Sequence, residues 1–163
     1  MKASEAITLF KTYLNKPRTA LPWLKKRPNL YDCAAGYTWI VGQAKRHPNL
    51  VWVHELKDRA VKNGTYVSAK NAKGKMPKPG DAIFYDWSGK QADTDHVAMC
   101  IKSKRGRNGY INAIGADQGH RRLVTYLNEP KGAFHVISGW GTPFKFDPET
   151  TPAETPQPEQ ATN

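Results

Sequence analysis

This chain is short of the residues that most often announce a chemistry. It has two cysteines in 163 residues, Cys33 and Cys100, so a framework of several disulfides is excluded. A single Cys33–Cys100 bridge, which would compete with a reactive Cys33 thiol, is not expected. It contains no Cys-x-x-Cys, no His-x-x-x-His and no close Cys/His cluster at zinc spacing, so no metal or other cofactor is expected. No run approaches the roughly 18 apolar residues of a membrane-spanning helix, and there is no internal repeat. No secretory leader is legible at Met1-Lys2-Ala3-Ser4. Synthesis in a reducing cytosol is therefore expected, with both thiols free.

Positive charge is what the chain does have. It carries 25 Lys+Arg against 14 Asp+Glu, a net charge of +11. Residues 147–163 hold four prolines and four acidic residues with no aromatic, which reads as a disordered tail or linker. The remaining residues, 1–146, form one domain by length and carry +15. Such a charge draws a protein to polyanions. The two candidates are nucleic acid and an anionic cell wall. Lys102-Ser103-Lys104-Arg105-Gly106-Arg107 reads as a basic hairpin tip that can touch phosphates, yet it has no base-reading motif. Charge alone leaves these two open beside a merely soluble surface; insertion into a membrane is not expected, and the protein is expected to be a monomer.

Periodicity places helices first and strands afterwards, an α+β layout. Ser4 is read as the cap of a first helix with Ile7, Phe10 and Leu14 on one face. Cys33, Tyr37, Ile40, Val41 and Ala44 recur on one face of a second, capped by Asp32 and stopped at His47-Pro48. Val53, Leu56 and Ala60 mark a third, ending near Gly64. Strands are expected near 82–87, 96–102, 109–114, 121–126 and 133–139, the first two antiparallel.

This layout sets a cysteine in the first turn of a helix, where free amides and the helix dipole favour a thiolate. It also sets His96 at a strand entrance beside a polar loop, able to reach solvent and a neighbour. A thiol at a helix start and an imidazole at a strand start are the parts of an activated nucleophile. Asp32-Cys33 opening a helix, then Pro79-Gly80-Asp81 and Asp95-His96-Val97-Ala98, resembles the CHAP family of cysteine, histidine-dependent amidohydrolases/peptidases, in the papain-like superfamily that also holds NlpC-type hydrolases. Ile137-Ser138-Gly139-Trp140-Gly141-Thr142-Pro143 resembles the closing strand of actinobacterial and phage members. Trp23 resembles the aromatic before the NlpC-type nucleophile, without the glycine pair that follows it there. The likeness runs over about residues 4 to 143.

The resemblance implies a papain-like fold, with N-terminal helices packed on an antiparallel sheet. It implies Cys33 as nucleophile, His96 as base and the Cys33 amide as oxyanion donor. Where family members carry Ile-Glu-Gly-Asn, this chain has Ile114-Gly115-Ala116-Asp117. The residue orienting His96 is then Asp117 by that alignment, or Asn112 by an NlpC-type one. Some relatives hold calcium in an Asp-rich loop before the cysteine. Residues 16–30 contain no acidic residue, so that site is not expected. Trp23, Trp39, Trp52 and Trp87 are candidate groove walls, each read first as core.

The implied activity is hydrolysis of peptidoglycan amide bonds, as an endopeptidase or an N-acetylmuramoyl-L-alanine amidase. A bacteriophage endolysin, made in the host cytoplasm and reaching the wall on release, is the expected setting. The rivals are a catalytically inactive wall-binding module of the same fold and a basic nucleic-acid-binding protein. A deamidase or protease acting on another protein is a further alternative.

Overall fold

The computed structural model describes residues 1–14, 16–24, 32–47, 52–87, 95–106, 109–115, 122–126 and 136–149. Among these residues three α-helices precede every strand of the sheet: α1 Ala3–Lys11, α2 Asp32–Ile40 and α3 Val53–Lys62. The strands are β1 Val67–Ser68, β2 Ala82–Tyr85, β3 His96–Lys104, β4 Tyr110–Gly115, β5 Arg122–Tyr126 and β6 Ile137–Gly141. They form one sheet in the order β1-β6-β2-β3-β4-β5, every neighbouring pair antiparallel. The α+β class expected from the sequence is the class the chain adopts. β1, two residues long, is too short for alternation to reveal.

The central strands are buried on both faces over most of their described length, and strand alternation sorts their side chains between them. Ala82, Phe84, Val97, Met99 and Ile114 face the helices and share a core with Phe10 of α1, Cys33, Tyr37 and Ile40 of α2, and Leu56 and Ala60 of α3. Ile83, Tyr85, Ala98, Cys100, Ile111, Ala113, Ile137 and Trp140 form the second core, closed by Ala72 from the segment after β1. Registers Phe84↔Val97 and Ile83↔Ala98 keep the two sets apart.

Helix ends explain most boundary differences. α2 stops at Ile40, well before Pro48, because Gly42 takes a left-handed φ of +72°. The Gly42 amide then donates to Trp39 O and the Gln43 amide to Thr38 O, the paired bonds of a Schellman cap. α3 ends the same way at Gly64, where the amides of Gly64 and Thr65 donate to Val61 O and Ala60 O. Ser4 is not the N-cap of α1 but lies inside it. Its amide and hydroxyl donate to the Glu149 carboxylate at 2.9 and 2.8 Å.

These bonds move the domain boundary. The chain's N-terminal ammonium pairs with Asp147, and Lys2 bridges to Asp147. The folded unit thus reaches Glu149 rather than 146, because these acids neutralise the start of the chain and of α1. The rest of the expected tail, residues 150–163, lies outside the described residues.

The Pro-Gly-Asp turn holds the helices to the sheet. Gly80, at φ +90°, has no room for a methyl against Ala3 and Phe146. Its carbonyl accepts from the buried Tyr37 hydroxyl of α2 at 2.9 Å, and burial pushes the Tyr37 phenol well above its ordinary pKa. Asp81 accepts from the Lys78 amide at 2.8 Å and from the Thr142 hydroxyl at 2.6 Å. So Asp81 is a structural residue that ties β2 to the end of β6.

Candidate active site

Cys33 is the second residue of α2, 5% exposed, in the first turn where amides lack helical partners. Nothing is described of residues 25–31 before it or of the Asp32 side chain, so the expected Asp32 cap lies outside the described residues. α2 packs directly on β3, the strand that His96 opens, and it anchors there through Tyr37.

His96 is 2% exposed rather than open to solvent as expected. It pairs across the ladder with Tyr85, and its ring centroid lies 5.7 Å from that of Tyr85 and 6.2 Å from that of Trp87. Trp87 stacks on Tyr85 at 5.1 Å and 15°. The Asp95 carboxylate accepts from the Trp87 amide at 3.0 Å, which ties the chain just after β2 to the residue before the histidine. Alternation therefore puts the imidazole on the Tyr85 side of the sheet, while Cys33 belongs to the helix side. The two elements touch, yet among the described residues no hydrogen bond joins the thiol to the imidazole.

The expected third members fare differently. Asn112 is buried in β4 opposite Lys102. Six residues of β3 separate Lys102 from His96, about 20 Å at strand rise. Asn112 therefore does not reach the imidazole, and that expectation is corrected by the register. Asp117 lies outside the described residues.

Both cysteines are free thiols. Cys100 sits in the second core, where burial, then the Asp81 charge, pushes its thiol up to about 12. Among the described residues no group of three His, Cys, Asp or Glu side chains could hold a metal ion. Among those residues, too, no helix is long and apolar enough to cross a membrane.

Sequence reasoning missed two features here. Trp87 is 53% exposed and Trp52 49%, so neither is core, unlike Trp23. An aromatic two residues beyond β2, at the edge of a polar loop, is the available signal for Trp87. Asp86 is fully buried directly after β2, a place no local pattern marks for a carboxylate. A cavity of about 410 Å³ lies at the far end of β2, among Asn63, Thr65, Pro79, Asp81, Thr142 and Phe146. It holds none of the candidate catalytic residues.

No family model, curated protein or solved structure matches the chain. What the fold defines is a mixed α+β protein with its helices on one face of an antiparallel sheet.

Proposed function

We propose that this chain is a thiol-dependent hydrolase of amide bonds in bacterial peptidoglycan, with a papain-like arrangement of helix and sheet. The observation that carries this reading is the packing of α2, whose first turn holds Cys33, on β3, whose first residue is His96. In the proposed reaction the Cys33 thiolate attacks the amide carbonyl, and His96 takes the thiol proton and returns it to the leaving amine. The Cys33 backbone amide, free at the helix start, donates to the developing oxyanion. Water then releases the acyl group from sulfur. Cutting within the peptide stem or cross-bridge, or between sugar and peptide, fits this chemistry equally. A phage endolysin, made in the host cytoplasm and acting on the wall after release, is the setting we propose.

The imidazole must leave its place beside Tyr85 to meet the thiol, so the dyad forms on substrate binding rather than beforehand. Asp117 is the proposed orienting residue. Turbidity loss of a Gram-positive wall suspension tests the reading: native protein lyses it, and folded Cys33→Ala does not. Lysis by folded Cys33→Ala would end the proposal. Asp117→Ala is expected to lower the rate with Cys33 and His96 intact.

The separation of Cys33 and His96 on two faces also favours a second reading, a wall-binding module of the same fold without catalysis. Such a module binds walls, lyses none, and shows no thiol unusually reactive to iodoacetamide at neutral pH.

A further inference from the structure

At the end of β3 remote from His96, two acid-free stretches come together. Residues 69–80 and 101–115 contain no Asp or Glu. The fold sets them side by side: the Ser103 hydroxyl donates to Pro77 O at 2.7 Å, and at their border the Gly80 amide donates to Cys100 O and the Cys100 amide to Asp81 O. Exposed Lys73 and Lys75, either side of Gly74, thereby join exposed Lys102, Lys104 and Arg105 at one end of the molecule. Among the described residues Lys73, Lys75, Lys104 and Arg105 have no ion-pair partner. Lys102 lies 5.6 Å over the Tyr110 ring.

The turn that displays two of these charges is strained. Ala72 O accepts from the Lys75 amide at 2.8 Å, and both central residues are left-handed, Lys73 at φ +44° and Gly74 at φ +79°. Asparagine or glycine adopts such a conformation more cheaply than lysine. Arg105 packs on the bare backbone of Gly74, where a methyl would lie 2.5 Å from its guanidinium carbon. The fold thus holds Lys73, Lys75 and Arg105 together against their mutual repulsion. Strain and like charge kept together at an exposed tip point to a ligand rather than to stability.

We propose that this tip is a docking site for a phosphodiester-linked polymer of the bacterial cell wall, an inference that rests on the wall-directed reading above. Lysines dominate it, and they act as point charges for phosphate without the paired geometry that reads a base edge. The Tyr110 ring is covered by Lys102, so that face is not open for the base stacking that single-stranded nucleic acid uses. His96 lies about 25 Å away by strand rise, so a polymer bound at the tip leaves the candidate active site open.

The test compares the full chain with Lys73→Gln/Lys75→Gln/Arg105→Gln, matched by circular dichroism and melting temperature. Binding to purified poly(glycerol phosphate) is expected to weaken at least tenfold in 50 mM salt. The slope of log affinity against log salt is expected to flatten by about 2, at roughly 0.7 for each phosphate that is no longer neutralised. Wall sediments stripped of phosphate polymers should retain the native chain no better than the variant. Equal binding by both chains, or native retention on stripped walls equal to that on intact ones, overturns the proposal. So does tighter binding to double-stranded DNA than to poly(glycerol phosphate) at the same salt. Cleavage of a soluble peptidoglycan fragment by the native chain is scored separately. Tip-dependent polymer binding without that cleavage would sink the hydrolase reading and leave the docking site standing.

Discussion

The two halves of β3 are built on different principles. His96 to Cys100 is buried on both faces, and its side chains pack against elements distant in sequence. Ile101 to Lys104 alternates between half-buried and exposed, and its lysines face water. The first half carries a candidate nucleophile's partner inside packed aromatics. The second carries bare positive charge. A site for chemistry needs groups held by tertiary packing, whereas a site for a flexible polyanion needs only charge at an exposed end.

The largest effect that sharpens this contrast is on catalysis. His96→Ala is expected to slow wall lysis by about 10²–10⁴-fold, the range for losing a positioned general base, read as the initial rate of turbidity loss. An unchanged rate would remove the buried half of β3 from the chemistry. Next comes stability. Met99→Ala is expected to cost about 2–5 kcal/mol, as for other fully buried large side chains. Ile101→Ala, one step into the half-exposed stretch, should cost clearly less in the same urea titration. Equal costs would erase the boundary between the halves.

Smaller effects concern what holds that boundary in place. Tyr37→Phe leaves the Gly80 carbonyl without its buried donor and is expected to cost about 1–3 kcal/mol, seen as a lowered melting temperature. The Cys100 thiol, pushed up to about 12 from 9.0, favours the folded state while protonated. That contribution is complete below pH 9, because the raised value belongs to the folded chain, and is lost as pH rises toward 12. Native protein at about pH 8.5, near the ordinary thiol pKa, should therefore leave Cys100 unalkylated. Cys100→Ala should flatten the alkaline loss of stability.

The smallest effect is at the chain ends. Hydrogen bonding to the N-terminal ammonium lowers the Asp147 pKa, and hydrogen bonds from Ser4 lower that of Glu149. Both folded values lie below the unfolded ones. Their contribution is thus present above the ordinary carboxyl range and lost as pH falls through the lowered values. Asp147→Asn should remove part of the difference in melting temperature between neutral and acidic buffer. An unchanged difference would show that the latch of the N-terminus on residues 147–149 adds nothing.

Much of the fold is legible in the sequence because it is local. The period of Val53, Leu56 and Ala60 with Gly64 behind them defines α3, and apolar, β-prone runs bounded by turn residues define β2 and β3. Pro48 reads as the stop of α2 because proline cannot continue a helix, but a left-handed Gly42 ends it earlier and as firmly. Ser4 has the side chain of a cap, yet the acceptor that serves it, Glu149, is 145 residues away. No local pattern can show such a partner.

The sequence alone determined the α+β class, the three helices, the strand pairing of β2 with β3 and the position of Cys33 in a first turn. These depend on spacing over a few residues, where backbone hydrogen bonding and side-chain period leave little choice. Only the tertiary structure decided that β6 inserts between β1 and β2, that Asn112 lies far from His96, and that thiol and imidazole occupy different faces. It alone brought Lys73, Lys75 and Arg105 to one tip. Register and face are set by which distant surfaces bury each other, and that is a property of the whole core rather than of any segment.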